Sequence, residues 1–206
     1  QKAYYCFCTK EELELERNAM MAQGLAPKYS GRCRAYTKEE AEKRRAKNEP
    51  SVIRLKIPET RVSFHDMIRG TLEFDMALVG DTVIAKNTET PLFNFAVTVD
   101  DYEMKISHVI RGEDHIANTP KQIILQHALG FETPHYAHLP LILAPNRSKM
   151  SKRDLETSLD DYRTQGYLPE AIINFIALLG WHPKDDREVL TPEELIQEFD
   201  IKRIQK

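Results

Sequence analysis

Four cations crowd residues 144–154, "APNRSKMSKRD", among serine, proline and asparagine and directly after the apolar run "LPLILA". Lysine ammonium groups on such a loop are mobile point charges. They suit oxygens whose charge rises as pyrophosphate leaves a nucleotide, which makes Lys149 and Lys152, flanking Met150 and Ser151, candidates for phosphate binding. The alternative is an idle exposed loop. A second group, "VIRGEDHIANTPKQ", brings Arg111, Glu113, Asp114 and His115 to the end of an expected strand and the entry of an expected helix. Ligands of open α/β sheets bind at that edge, and helix N-termini offer unpaired N–H groups to anions. Arg111 can hold a carboxylate through two parallel N–H bonds, a task lysine does poorly. Here the alternative is a local salt bridge from Arg111 to Glu113 or Asp114. The third group is "CFC", with 24 residues between Cys8 and Cys33. Thiolates at Cys6, Cys8 and Cys33 can clamp a tetrahedral zinc if a fourth ligand arrives. No histidine precedes His65, and Tyr29, four residues ahead of Cys33, is the nearest donor. Without metal, the three are ordinary packed thiols.

Bulk composition bounds what these groups can serve. An odd cysteine count, three, argues against a disulfide framework and for a reducing compartment, the cytoplasm. No apolar run approaches the roughly 18 residues of a membrane span, so no membrane partner is expected. The net charge of −3 is unevenly spread: residues 25–47 hold eight Lys/Arg against three Glu, and residues 144–153 carry four cations and no acid. Two basic patches on a mildly acidic chain can meet a polyanion, because phosphate contacts follow the local field. Solvated helix faces are the plainer explanation. At 206 residues the chain has room for one large domain or two small ones. It opens at "QKAYYCFC", already in strand-like sequence and without an initiator methionine, so a piece of a longer protein is expected.

Those residues need elements to hold them. "TKEELELERNAMMAQG" predicts a helix capped by Thr9 with Glu12 closing a capping box, and Gly24 as its stop; "TKEEAEKRRAKN" repeats the device with Thr37 and Glu40. "SVIRLKI" and "TLEFDMALVGDTVIAK" alternate like antiparallel strands. "FNFAVTVDDYEMKISHVIRGEDH" predicts two strands joined at Asp100–Asp101, and "NTPKQIILQHALG" a helix with Pro120 at its start and Gly130 as stop. "HLPLILA" reads as a strand buried on both faces of a parallel sheet. "PEAIINFIALLGW" and "TPEELIQEF", the latter with Thr191 as cap, predict helices whose apolar stripes form core.

Taken together, "KMSKR", "FNFAVTVDDYEMKISHVIRGEDHIANTPKQ", "YAHLPLIL" and "SLDDYRTQGYLPEAIINFIALLGW" resemble, in order and nearly end to end, bacterial-type glutamyl-tRNA synthetases of the class I aminoacyl-tRNA synthetases. The resemblance implies an α/β chain carrying the second half of a Rossmann-type nucleotide-binding fold. A zinc-containing α+β insertion that meets the tRNA acceptor stem would occupy residues 1–90. The catalytic half with its signature loop would be 91–150, and a helical stem-contact domain 151–206. It implies the joining of glutamate to ATP, as glutamyl-adenylate, and transfer to the terminal adenosine of tRNA-Glu. Lys149, Ser151 and Lys152 would serve catalysis, Lys152 foremost at the ATP phosphates, with Mg2+ sharing their charge. Arg111 would grip glutamate; Phe93, Asn94 and His115 would line the cleft, and Leu141, Ile142 and Leu143 would present backbone groups to adenine. Cys6, Cys8, Tyr29 and Cys33 would hold a structural Zn2+. A cytoplasmic monomer is expected.

The sequence also departs from that pattern. The first class I signature, H-I-G-H, is absent, as are the other half of the nucleotide fold and the anticodon-binding domains, so this stretch alone is expected to be inactive. Phe93 stands where the family usually has a tyrosine touching glutamate. Ala35 stands where a histidine often follows the third cysteine, which turns attention to Tyr29. Two competing readings share the features: the shorter paralogue that glutamylates queuosine of tRNA-Asp, which lacks a tail like residues 156–206, and a zinc-stapled acceptor-binding module without catalysis.

Overall fold

The computed structural model describes residues 2–142 and 159–205. Their contacts gather them into two units: Gln1–Phe64 with Thr71–Ser107 and Ala117–Pro134, and His65–Gly70 with His108–Ile116 and His135–Lys206.

In the first unit, β1 (Ala3–Cys6) runs into helix α1 (Lys10–Ala22), which Thr9 and Glu12 start with a reciprocal capping box. Helix α2 (Lys38–Ala46) begins the same way at Thr37 and Glu40. Strand β2 (Val52–Leu55) pairs antiparallel with β1, Cys6 opposite Val52, and with β5 (Thr82–Ala85) on its other side. Strands β3 (Arg61–Asp66) and β4 (Gly70–Asp75) lie between them in the chain and are neighbours. Helix α3 (Phe93–Glu103) and helix α4 (Thr119–Leu129) complete the unit. Leu55, Ile57, Met76, Ile84, Ile124 and Leu125 form its core.

Helix α3 overturns the expected pair of strands joined at Asp100–Asp101. Phe93, Phe95, Val97 and Val99 do alternate, but the same stretch has a second period. Thr98 is buried and donates from its hydroxyl to the Asn94 carbonyl one turn back, while Phe95 packs on the apolar core. Tertiary packing outweighs the modest strand preference of valine and threonine. Only the second expected strand survives, as β6 (His108–Gly112).

Asp81 organises this unit. Its buried carboxylate accepts from the Tyr4 hydroxyl at 2.6 Å and the Ile57 amide at 2.7 Å, and Arg34 reaches it at 3.4 Å. Its carbonyl accepts from Arg54 at 2.9 Å. Burial, then the hydrogen bond to this carboxylate, pushes the Tyr4 phenol far above its ordinary value, so Tyr4 remains a donor.

In the second unit β6 runs parallel to β7 (His135–Leu139) from His108↔His135 to Gly112↔Leu139. Asp66, the last residue of β3, pairs in parallel with Tyr136. The expected strand "HLPLILA" therefore begins three residues earlier and stops at Leu139, because Pro140 has no N–H for the ladder. Helices α5 (Leu159–Thr164), α6 (Pro169–Leu178) and α7 (Pro192–Glu198) follow, α7 with a capping box at Thr191 and Glu194. Ile68, Ala137, Trp181, Leu190, Leu195 and Ile204 form the core, and Ala177 and Leu178 of α6 pack on it. Ile173, Phe175 and Ile176 of the same helix stay exposed, so only one side of its apolar stripe is core.

Replacing Asp81 leaves a buried amide and hydroxyl without an acceptor. Asp81→Ala is expected to lower stability by about 2–4 kcal/mol, read from urea unfolding followed by circular dichroism.

Candidate functional site

Asp66 and His138 are completely buried, and nothing in a carboxylate or an imidazole tolerates that without partners. Asp66 Oδ1 accepts from the backbone amides of Ile68 at 3.0 Å, Arg69 at 2.9 Å and His138 at 3.3 Å. Its Oδ2 stands 2.6 Å from His138 Nδ1. On the other side of the ring, Nε2 accepts from Arg111 Nε at 3.2 Å. An acceptor at Nε2 fixes the tautomer: the imidazole is neutral, with its proton on Nδ1 and donated to Asp66. Burial pushes His138 below its ordinary value, the Asp66 carboxylate pulls it back up, and Arg111 and His115 push it down. For Asp66 burial acts upward, but the N–H groups of Arg69, Ile68 and His138 and the imidazole together hold it below the usual carboxylate range.

The turn that supplies Asp66 supplies a second arm. Arg69 donates from Nε to the His138 carbonyl at 3.3 Å and pairs with Glu113 Oε2 at 2.6 Å. Glu113 Oε1 accepts in turn from the Leu141 amide at 3.1 Å. Glu113 is thus engaged by Arg69 and Leu141. Arg111 lies over the Tyr136 ring, 5.5 Å from its centroid.

The structure brings Arg111, His115, Leu141 and the half-exposed Ile142 of the expected set into this unit. Phe93 and Asn94 stand on α3 in the other unit. The Phe93 ring is 53% exposed. The Asn94 side chain accepts from Gln122 at 2.9 Å and donates to Asn118 at 3.5 Å, tying α3 to α4. Leu143, Lys149, Ser151 and Lys152 lie outside the described residues. Asp66, Arg69 and His138 were not singled out from the sequence. The partners Asp66 and His138 are 72 positions apart, and only a histidine in an apolar run hinted at a buried polar role.

The cysteines converge as expected. Sγ atoms of Cys6, Cys8 and Cys33 lie within 4.8 Å of one another, with Cys8 and Cys33 at 3.6 Å. The Tyr29 hydroxyl stands 3.4 Å from Cys6 Sγ and 3.5 Å from Cys8 Sγ, and accepts from the Cys33 amide at 3.0 Å. Cys33 Sγ accepts from the Phe7 amide at 3.4 Å. Burial pushes the Cys8 thiol up to about 12; at Cys6 burial is outweighed by hydrogen bonds from Tyr29 and Arg54, which hold the thiol below its ordinary value. Gly80 makes room for the tyrosine: its φ is +70°, and a Cβ there would come within 3.1 Å of Lys28 Cβ and 3.3 Å of the Tyr29 carbonyl. The group has the ligand types and spacing of a metal site. In the same unit an open cavity of ≈ 480 Å³ is lined by Lys2, Arg34, Lys56, Arg61 and His127 on its polar side.

The chain matches the family described as tRNA synthetases class I (E and Q), catalytic domain, over residues 1–206, and it belongs to that family. It is 50% identical over 206 residues to glutamate–tRNA ligase 2 of Thermoanaerobacter pseudethanolicus, and 52% identical over 209 to glutamate–tRNA ligase 2 of Caldanaerobacter subterraneus subsp. tengcongensis. In both cases the alignment takes in 100% of this chain and 43% of the relative, so the chain spans less than half of their length. A crystal structure of a glutamate tRNA ligase from Elizabethkingia meningosepticum, in complex with its amino acid, superposes with a TM-score of 0.85 at 37% identity. That match covers 100% of this chain and 46% of the other. No described helix is long and apolar enough to cross a membrane.

Both buried shifts in the Asp66–His138 pair are downward, so the unfolded chain binds protons that the folded unit refuses, and stability must fall on acidification. The first loss comes as pH drops below the ordinary histidine value of 6.5, the second below the ordinary aspartate value of 3.8. The melting temperature followed by the fluorescence of Trp181, the single tryptophan, is expected to fall between about pH 7 and about pH 5. In His138→Asn that first slope is expected to flatten.

Proposed function

We propose that this chain supplies part of the machinery that attaches glutamate to tRNA-Glu through a glutamyl-adenylate. The observation that carries this reading is Arg111, a guanidinium oriented at the end of β6 in a chain matched throughout by the synthetase family. Relatives named glutamate–tRNA ligase support glutamate as the amino acid. Arg111 binds a glutamate carboxylate. The reacting carboxylate attacks the α-phosphorus of ATP in line, forming a P–O bond as the bond to pyrophosphate breaks. No covalent intermediate on the protein is needed, and positioning with electrostatic stabilisation does the work. Lys149, Ser151 and Lys152 serve the departing pyrophosphate, with Mg2+ brought in by ATP. His115, in the same unit as Arg111, lines the glutamate pocket, and Leu141, Ile142 and Leu143 offer backbone groups to adenine, with the Leu141 amide held by Glu113.

We assign residues 1–90 to the acceptor-stem insertion, 91–150 to the second half of the nucleotide-binding fold and 151–206 to the helical stem-contact domain. The cation-lined cavity of the first unit supports an RNA phosphate partner there. Three free thiols suit the reducing cytoplasm, where the protein acts as a monomer. The metal of the thiol cluster is zinc. A tetrahedron with Zn–S of about 2.3 Å and Zn–O of about 2.0 Å has S···S edges of about 3.8 Å and S···O edges of about 3.5 Å. The cluster's edges of 3.6, 3.4 and 3.5 Å support a fit for Cys6, Cys8, Cys33 and Tyr29. Zinc there cross-links a lobe whose own core is small.

In the full-length protein, ATP–pyrophosphate exchange is expected to require glutamate together with tRNA-Glu. Arg111→Lys, which keeps the charge but loses the planar fork, is expected to raise the glutamate KM on the order of tenfold. An exchange reaction absent despite tight tRNA binding would leave a zinc-pinned RNA-binding module instead. Elemental analysis should find about one zinc per chain. Tyr29→Phe, which preserves the ring under Arg54 at 3.9 Å, should release that zinc faster to a chelator while the chain stays folded.

A further inference from the structure

We propose that Asp66 and His138 are positioning residues for Arg111, a buried carboxylate–imidazole pair that fixes the plane in which the guanidinium presents itself to a carboxylate ligand. The inference rests on the reading of Arg111 as the glutamate-binding residue. Three backbone amides and the imidazole immobilise Asp66. Asp66 immobilises the ring of His138, and the ring's remaining nitrogen holds Arg111 Nε. The face of Tyr136 restrains the guanidinium from a second direction.

An arginine side chain carries four rotatable bonds, and ordering it costs conformational entropy each time a ligand is clamped. A hydrogen bond to Nε sets the last of those rotations before the ligand arrives. It also decides which edge works. With Nε committed to His138, the side-on Nε/Nη edge cannot grip a carboxylate with two parallel bonds. The same argument gives the tautomer a function: only an imidazole whose proton sits on Nδ1, held there by Asp66, has a lone pair to offer Arg111.

Two substitutions separate this role from mere packing. His138→Asn places an amide nitrogen near Nδ1, keeping a donor for Asp66 while removing the acceptor for Arg111. His138→Gln places an amide oxygen near Nε2, keeping that acceptor while losing the donor. In the full-length protein, His138→Asn is expected to raise the glutamate KM on the order of tenfold without moving the ATP KM, and His138→Gln is expected to recover most of the loss. In an Arg111→Ala background His138→Asn should add nothing. Slow solvent exchange of the Arg111 Nε proton, seen by NMR, should be lost in His138→Asn and retained in His138→Gln. Unaltered Nε exchange in His138→Asn, or glutamate and ATP KM rising together in step with a lowered melting temperature, would overturn the proposal. A protected Nε proton in a protein that shows no glutamate-dependent exchange would sink the synthetase reading while leaving the positioning role intact.

Discussion

A carboxylate carried out of water has to be surrounded by donors or it does not stay ionised. Asp66 meets that demand with three backbone amides and one imidazole, and the second unit is arranged around the result. Because two of the amides, of Ile68 and Arg69, come from the turn that follows β3, the turn cannot move without exposing the charge. Because the imidazole comes from β7, that strand is fixed in register with the end of β3. Arg69, on the same turn, extends the tie to Glu113 and through it to the backbone at Leu141. One anion therefore sets the places of two groups assigned to different ligands, Arg111 for glutamate and Leu141 for adenine.

The first unit uses the same device for another end. Asp81 collects Tyr4 from β1, Ile57 from the segment after β2, and Arg34 from the turn that carries Cys33. Arg54, whose guanidinium lies against the Tyr29 ring and binds the Asp81 carbonyl, joins this carboxylate to the thiol cluster. Among the described residues, the buried cluster of that lobe is Tyr4, Cys6 and Cys33, with Cys8, Tyr29 and Val52 packed against it. So small a cluster contributes little by burial alone. What the lobe has in place of a larger core is the convergence of three thiols and the Tyr29 hydroxyl, the group proposed above to hold a metal.

What the sequence disclosed follows the range of the interaction concerned. Capping boxes at Thr9, Thr37 and Thr191 involve residues three apart, and their helices begin where those threonines and glutamates say. Cysteines are scarce enough for Cys6, Cys8 and Cys33 to be grouped without knowing the path between them. Arg111 was legible because it ends a run of strand-forming residues beside a helix start. Helix α3 was not, since Phe93, Phe95, Val97 and Val99 satisfy the strand period as well, and the contacts that decide, Asn94 with Gln122 and Phe95 with the core, come from 24 or more positions away or from other elements. Asp66 and His138 left still less trace. Each is a single polar residue in an unremarkable neighbourhood, and their meaning lies wholly in a pairing across the fold.

The route from Asp66 to Arg111 runs through a ring, and that choice has an electrostatic consequence. A carboxylate bonded directly to the guanidinium would orient it equally well, but it would also form an ion pair and compete with any carboxylate ligand for the same charge. A neutral imidazole transmits position without bringing the anion into contact: it accepts one N–H from the arginine while its far side satisfies the aspartate. Glu113, the nearest acidic residue in sequence after Arg111, is taken up by Arg69. The ring therefore orients the arginine without itself adding an anion to it. For the acidic ligand proposed above this matters, because an orienting carboxylate in place of the ring would bring a second anion to the same cation.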